Sequence, residues 1–96
     1  MITRIVKLTI QPDKTADFLA IFNDSKPFIL NSEGCHQVQV LNDTQQPHLF
    51  FTYSIWESEE HLNKYRQSEI FESIWQRTKM LFAAKAEAWS LVSPLE

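Results

Sequence analysis

Alternation and helical spacing of apolar residues divide the chain into six elements. Over residues 2–10, Val6, Leu8 and Ile10 alternate with Ile5, Lys7 and Thr9, and β-branched residues are frequent, which predicts a strand. Gln11-Pro12-Asp13 breaks the strand, and Pro12 or Asp13 opens a helix, where a missing backbone donor would be orphaned anyway. Phe18, Ile21 and Phe22 then recur at helical spacing and form one apolar face. Pro27 is expected to interrupt this helix, with a further helical turn over 28–32. Gly34 is the expected positive-φ residue that ends it. The second strand, 35–41, places Val38 and Val40 on one face and Gln37 and Gln39 on the other. After a polar hairpin loop over 42–47, the third strand, 48–56, is richly aromatic, with Phe50, Phe51, Tyr53 and Trp56.

Ser58 is a good N-cap, and Glu59 and Glu60 suit the positive end of the helix dipole that follows. Ser68 and Glu69 repeat that signal. From there Phe71, Ile74, Trp75, Thr78, Leu81 and Phe82 keep a 3–4 spacing, which predicts a helix to about residue 84. Residues 85–92 form the last strand, where Ala86, Ala88, Ser90 and Val92 alternate with Trp89 and Leu91.

The order β-α-β-β-α-β predicts an α+β, ferredoxin-like fold, with helices on one face of a four-stranded antiparallel sheet. Its strands carry large apolar residues on both sides: Ile5 next to Val6, Phe51 next to Phe50, Trp89 next to Ala88. A solitary sheet of this kind leaves its second face polar. A homodimer packed sheet to sheet is therefore expected, each copy a single domain over 1–96.

Composition mainly removes possibilities. The 96 residues carry a net charge of −3 and are 44% hydrophobic, which suits a folded domain rather than a disordered chain. Nine basic against twelve acidic residues, without a basic cluster, argue against nucleic-acid binding. No apolar run is long enough for a membrane span, and the first residues lack a signal-peptide pattern, so a cytoplasmic protein without membrane partners is expected. One cysteine, Cys35, excludes an internal disulfide and a multi-cysteine metal site. One glycine excludes a P-loop and a dinucleotide-binding fingerprint.

The polar residues offer little chemistry. His36, His48 and His61 match no local metal-ligand spacing and read as ordinary surface or half-buried histidines; no metal is expected. Cys35 has no adjacent cation in sequence and reads as an inert thiol. No serine sits in a nucleophile elbow. Aromatic density stands out, at 12%, with Trp56, Tyr65, Phe71 and Trp75 gathered around the second helical region. They serve either as core, since a small domain needs large side chains, or as the wall of a flat apolar pocket. Both hold if the pocket opens between helices and sheet.

The run Ser54-Ile55-Trp56-Glu57-Ser58-Glu59-Glu60-His61-Leu62, followed by Tyr65-Arg66-Gln67-Ser68-Glu69-Ile70-Phe71, resembles the antibiotic biosynthesis monooxygenase domain. That family includes cofactor-free quinol and anthrone oxygenases and haem-degrading enzymes. The resemblance, which the element order extends over the whole chain, implies a dimeric α/β barrel. In haem-degrading members a long-helix histidine ligates iron; the matching residue here is Trp75, which cannot. Val6 and Tyr65 stand where those enzymes have an asparagine and a tryptophan. Many quinol-oxygenase-like members have a histidine where this chain has Tyr65, a hydrogen-bond donor but a poor base, with a reference pKa of about 10.

The resemblance thus implies a monooxygenase without a cofactor, acting on an aromatic quinol- or anthrone-like molecule. Tyr65 would orient a ring hydroxyl, and Val6, Phe22, Trp56, Phe71 and Trp75 would line the pocket. His36 and His61 are candidate bases. The alternatives are a non-catalytic binding or sensing domain on the same dimeric scaffold, and a cluster that serves packing alone.

Overall fold

The computed structural model describes residues 1–95. Strand β1 (Ile2–Thr9) leads through a 3-10 turn (Pro12–Lys14) into helix α1 (Thr15–Leu30). Strands β2 (Cys35–Asn42) and β3 (Leu49–Trp56) form a hairpin, followed by helices α2 (Glu59–Arg66) and α3 (Glu69–Lys79) and strand β4 (Glu87–Leu91). The sheet order is β2-β3-β1-β4, all antiparallel, which is the ferredoxin-like arrangement.

The local signals explain most element ends. Ser58 Oγ accepts from the His61 backbone N–H at 3.2 Å, and Ser68 Oγ accepts from that of Phe71 at 3.1 Å, so both serines cap as their sequence context predicts. Gly34 has φ 82°, and a Cβ there would lie 2.4 Å from His61 Cγ, so backbone and imidazole pack in direct contact.

Two boundaries differ from expectation. Pro27 does not interrupt α1, which runs unbroken to Leu30. Proline removes one donor, but its fixed φ is helical. The ladder resumes at once, since the Asn31 N–H reaches the Pro27 carbonyl at 3.0 Å, and Phe18 and Ile29 anchor the helix on either side. Helix α3 stops at Lys79 rather than near 84. The following residues pair with the end of β1 instead: Gln11 N–H bonds to the Leu81 carbonyl and Ala83 N–H to that of Thr9, both at 2.8 Å, with a bridge between Ile10 and Phe82. The apolar spacing of Leu81 and Phe82 was real, but it reports burial against a core cluster rather than helix.

The helices cover one face of the sheet and bury two clusters there. Leu8, Ile10, Phe18 and Phe50 form one, and Ile29, Val38, Trp56 and Leu62 the other. Register sets Ile5 opposite Tyr53 and Trp89, and Lys7 opposite Phe51, on the face that no helix covers.

Candidate functional site

A cavity of about 400 Å³ lies between the helices and the inner sheet face, walled by members of both core clusters. Each strand contributes alternate residues: Arg4, Val6 and Leu8 from β1, Val38 from β2, Thr52, Ser54 and Trp56 from β3, Ala88 from β4. Helices supply the roof, including Phe22, Tyr65, Phe71 and Trp75. Ala88 and Ser90 stay exposed although they point to the helical side, so the layer is incomplete next to β4.

Five rings pack in sequence, the first four of them on this wall. Trp56 stacks on Tyr65 at 4.9 Å, Tyr65 meets Phe71 edge-on at 5.3 Å, Phe71 stacks on Trp75 at 5.8 Å, and Trp75 meets Phe82 edge-on at 5.4 Å. These separations are ordinary for favourable aromatic pairs. The rings fill part of the core, and a void remains beside them, so packing alone does not account for the arrangement. Trp56 is fully buried and its indole N–H donates to Ser54 Oγ at 2.9 Å, which fixes the ring on the cavity wall.

Six of the residues singled out from sequence therefore converge: Val6, Phe22, Trp56, Tyr65, Phe71 and Trp75 all line the one cavity. Burial, with a smaller contribution from the nearby Cys35 thiol, pushes the Tyr65 phenol well above its ordinary pKa. The phenol stays neutral and is a donor, not a base.

The two histidines lie elsewhere. His36 follows Cys35 at an irregularity in the β2–β3 register and turns outward, where Nε2 pairs with Glu57 Oε2. The His36 hydrogen bond, then its charge, holds the Glu57 carboxyl below its usual pKa. His61 Nδ1 lies 2.7 Å from Ser58 Oγ, and its Nε2 is 3.6 Å from Glu33 Oε1. Lys64 hydrogen-bonds Glu33 as well and is the main reason that carboxyl also sits low. Neither imidazole lines the cavity. Cys35 is half-buried, and burial raises its thiol pKa. Among the described residues, no three of His, Cys, Asp and Glu gather as a metal site.

Among the lining residues that sequence reasoning missed are its two charged ones, Arg4 and Arg66. Arg4 was detectable: its register in β1 puts it on the same face as Val6 and Leu8, where an arginine interrupts an apolar series. Arg66 carried no comparable signal.

The family model for antibiotic biosynthesis monooxygenase matches residues 1–77. The chain belongs to that family. Solved structures agree on the fold. A candidate member of the family from Bordetella bronchiseptica superposes with a TM-score of 0.87 at 24% identity, over 96% of this chain and 95% of that one. A conserved protein from Methanosarcina mazei Go1 gives 0.88 at 21% identity, over 95% and 91%. SnoaB, a cofactor-independent oxygenase from Streptomyces nogalater, gives 0.86 at 13% identity, over 97% and 92%. No curated protein matches the chain. Among the described residues no helix is long and apolar enough to cross a membrane.

Proposed function

We propose that this family member is a cofactor-independent monooxygenase acting on an aromatic quinol- or anthrone-like molecule, and that it works in the cytoplasm as a homodimer joined through its open sheet face into an α/β barrel. The observation that carries this reading is the aromatic-walled cavity of about 400 Å³, a size and lining suited to a planar polycyclic ring. SnoaB, a cofactor-independent oxygenase of the same fold, supports the reaction class.

The chemistry needs no outside reductant. An anthrone ring system loses a proton to give an electron-rich anion, which passes one electron to oxygen; the two radicals join to form a carbon-bound peroxide. The peroxide takes up a proton. Loss of the remaining carbon-bound hydrogen as a proton, with cleavage of the O–O bond, then leaves a carbonyl and expels hydroxide, which becomes water. One oxygen atom enters the product, the other becomes water, and all four electrons come from the substrate. The protein's part is to hold the ring against Trp56, Phe71 and Trp75, to exclude bulk water and to favour the anion. Tyr65, kept neutral by burial, donates a hydrogen bond to a ring oxygen. No histidine or carboxylate stands in the described lining, so the substrate enters as the anion, its proton already lost to water outside the cavity.

That same absence favours a second reading, a non-catalytic domain that binds or senses an aromatic ligand. Oxygen-electrode measurements with a panel of anthrones and naphthoquinols separate the two. The enzyme reading predicts protein-dependent uptake above autoxidation, with one oxygen consumed per anthrone. Binding of panel members with uptake no faster than autoxidation overturns it.

A further inference from the structure

The cavity has a charged end beside its aromatic wall. Of its lining residues only Arg4 and Arg66 are charged, and both are cationic. This is a local excess of positive charge in a chain whose net charge is −3. The ion pairs of the described residues place every participating carboxylate elsewhere: Glu87 with Lys7, Glu57 with His36, and Glu33 with His61 and Lys64. Arg4 is half-buried, and its Nη1 donates to Ser90 Oγ at 2.9 Å, a neutral partner that orients the guanidinium without neutralising it.

Two features make this arrangement costly without an anion. Burial weakens the hydration of Arg4, and the charge of Arg66 lies close enough to repel it; both lower the Arg4 pKa, burial more than repulsion. An anion seated between them removes the repulsion and replaces the lost water. A carboxylate fits best. It is ionised at neutral pH without help from a base, which the described lining does not contain, and its two oxygens match the planar fork of a guanidinium.

We propose that Arg4 and Arg66 form a carboxylate subsite, so that the ligand is an aromatic acid with its ring against the aromatic wall and its carboxylate at the arginine end. This rests on the reading of the cavity as a ring-binding site. It adds a substrate class, since a carboxylate brings a permanent negative charge to the two arginines, separate from the ring oxygen that Tyr65 contacts.

The test uses the full chain and two probes of nearly equal shape, anthracene-2-carboxylate and the uncharged anthracene-2-carboxamide, titrated by calorimetry. The wild-type protein binds the acid at least about tenfold more tightly than the amide, as expected for charge-assisted hydrogen bonds to an arginine. In Arg4→Gln and Arg66→Gln that advantage shrinks to less than about threefold, because the acid loses more affinity than the amide. Should loss of the Ser90 contact unfold Arg4→Gln, the exposed helix-end variant Arg66→Gln carries the test alone. Equal binding of acid and amide by the wild type overturns the carboxylate subsite and leaves the ring site standing. An acid preference that survives in the variants overturns it too. Binding of neither probe overturns both the subsite and the ring-binding reading beneath it.

Discussion

The two faces of the sheet use similar residue types to different ends. On the inner face, Trp56 is 0% exposed beneath α2, and the same face admits Arg4, Thr52 and Ser54 around a void. On the outer face, Trp89 is 43% and Leu91 49% exposed, with Ile5, Phe51 and Tyr53 beside them and no helix to cover them. The covered face is thus more polar than its burial requires, and the open face more apolar than solvent favours. Polar groups are retained inside a small domain where a ligand can use them, and large apolar groups are kept outside where another surface removes them from water. This contrast supports the proposal that one face serves chemistry and the other assembly.

Four substitutions test that division, and the two tryptophans give the largest effects. Trp56→Ala should cost about 3–5 kcal/mol of unfolding free energy, as truncation of a fully buried indole does, read by urea denaturation. A cost below about 1 kcal/mol would mean that the inner core is less well packed than its geometry implies. Trp89→Asp should leave the inner cavity and its ligand binding intact but weaken self-association at least about a hundredfold, equivalent to about 2.7 kcal/mol at a hot spot. The accompanying sign is a wild-type Tm that rises with protein concentration and a variant Tm that does not.

The third effect is a pH dependence. The Tyr65 phenol has a raised pKa in the folded chain, chiefly through burial and then through Cys35, so the unfolded chain loses this proton first. Stability is therefore fully present below about pH 10, the unfolded value, and declines as pH rises towards the folded value, by up to about 1.4 kcal/mol per pH unit. Tyr65→Phe should remove this part of the alkaline slope, measured by thermal denaturation between neutral and strongly alkaline pH, and should weaken ligand-induced stabilisation. An identical slope and identical ligand shifts in both proteins would take Tyr65 out of the site. The smallest effect belongs to Ser58→Ala, which removes the cap of α2 and should cost about 1 kcal/mol by chemical denaturation.

Much of the fold was legible because local signals and burial agree. Strand alternation set Val6 and Ile5 on opposite faces, Ser58 and Ser68 started their helices, and Gly34 took the positive φ that ends a turn. The misplaced boundaries arose where one apolar signal has two physical causes. Leu81 and Phe82 fit a helical stripe, yet they are held by pairing with β1, a non-local event that periodicity does not encode. Pro27 shows the reverse case, a strong breaker tolerated because packing on both sides outweighs one lost hydrogen bond.

The site was legible where it is apolar. Aromatic residues clustered in sequence around α2 and α3 converge in space because helical spacing turns them to one side. The polar lining was harder. Histidine draws attention by its chemistry, but His36 and His61 are each already engaged by a carboxylate on the outside of the cavity wall. Arg66 is exposed at the end of α2 and looks like a solvated charge until the fold places Arg4 within range of it.

Sedimentation equilibrium of the wild-type protein at micromolar concentration tests the division between faces most directly. We predict a species of two 11.3 kDa chains that Trp89→Asp converts to one. A wild-type protein that sediments as a single 11.3 kDa chain at that concentration would contradict it, since the open apolar face would then have no partner of its own kind.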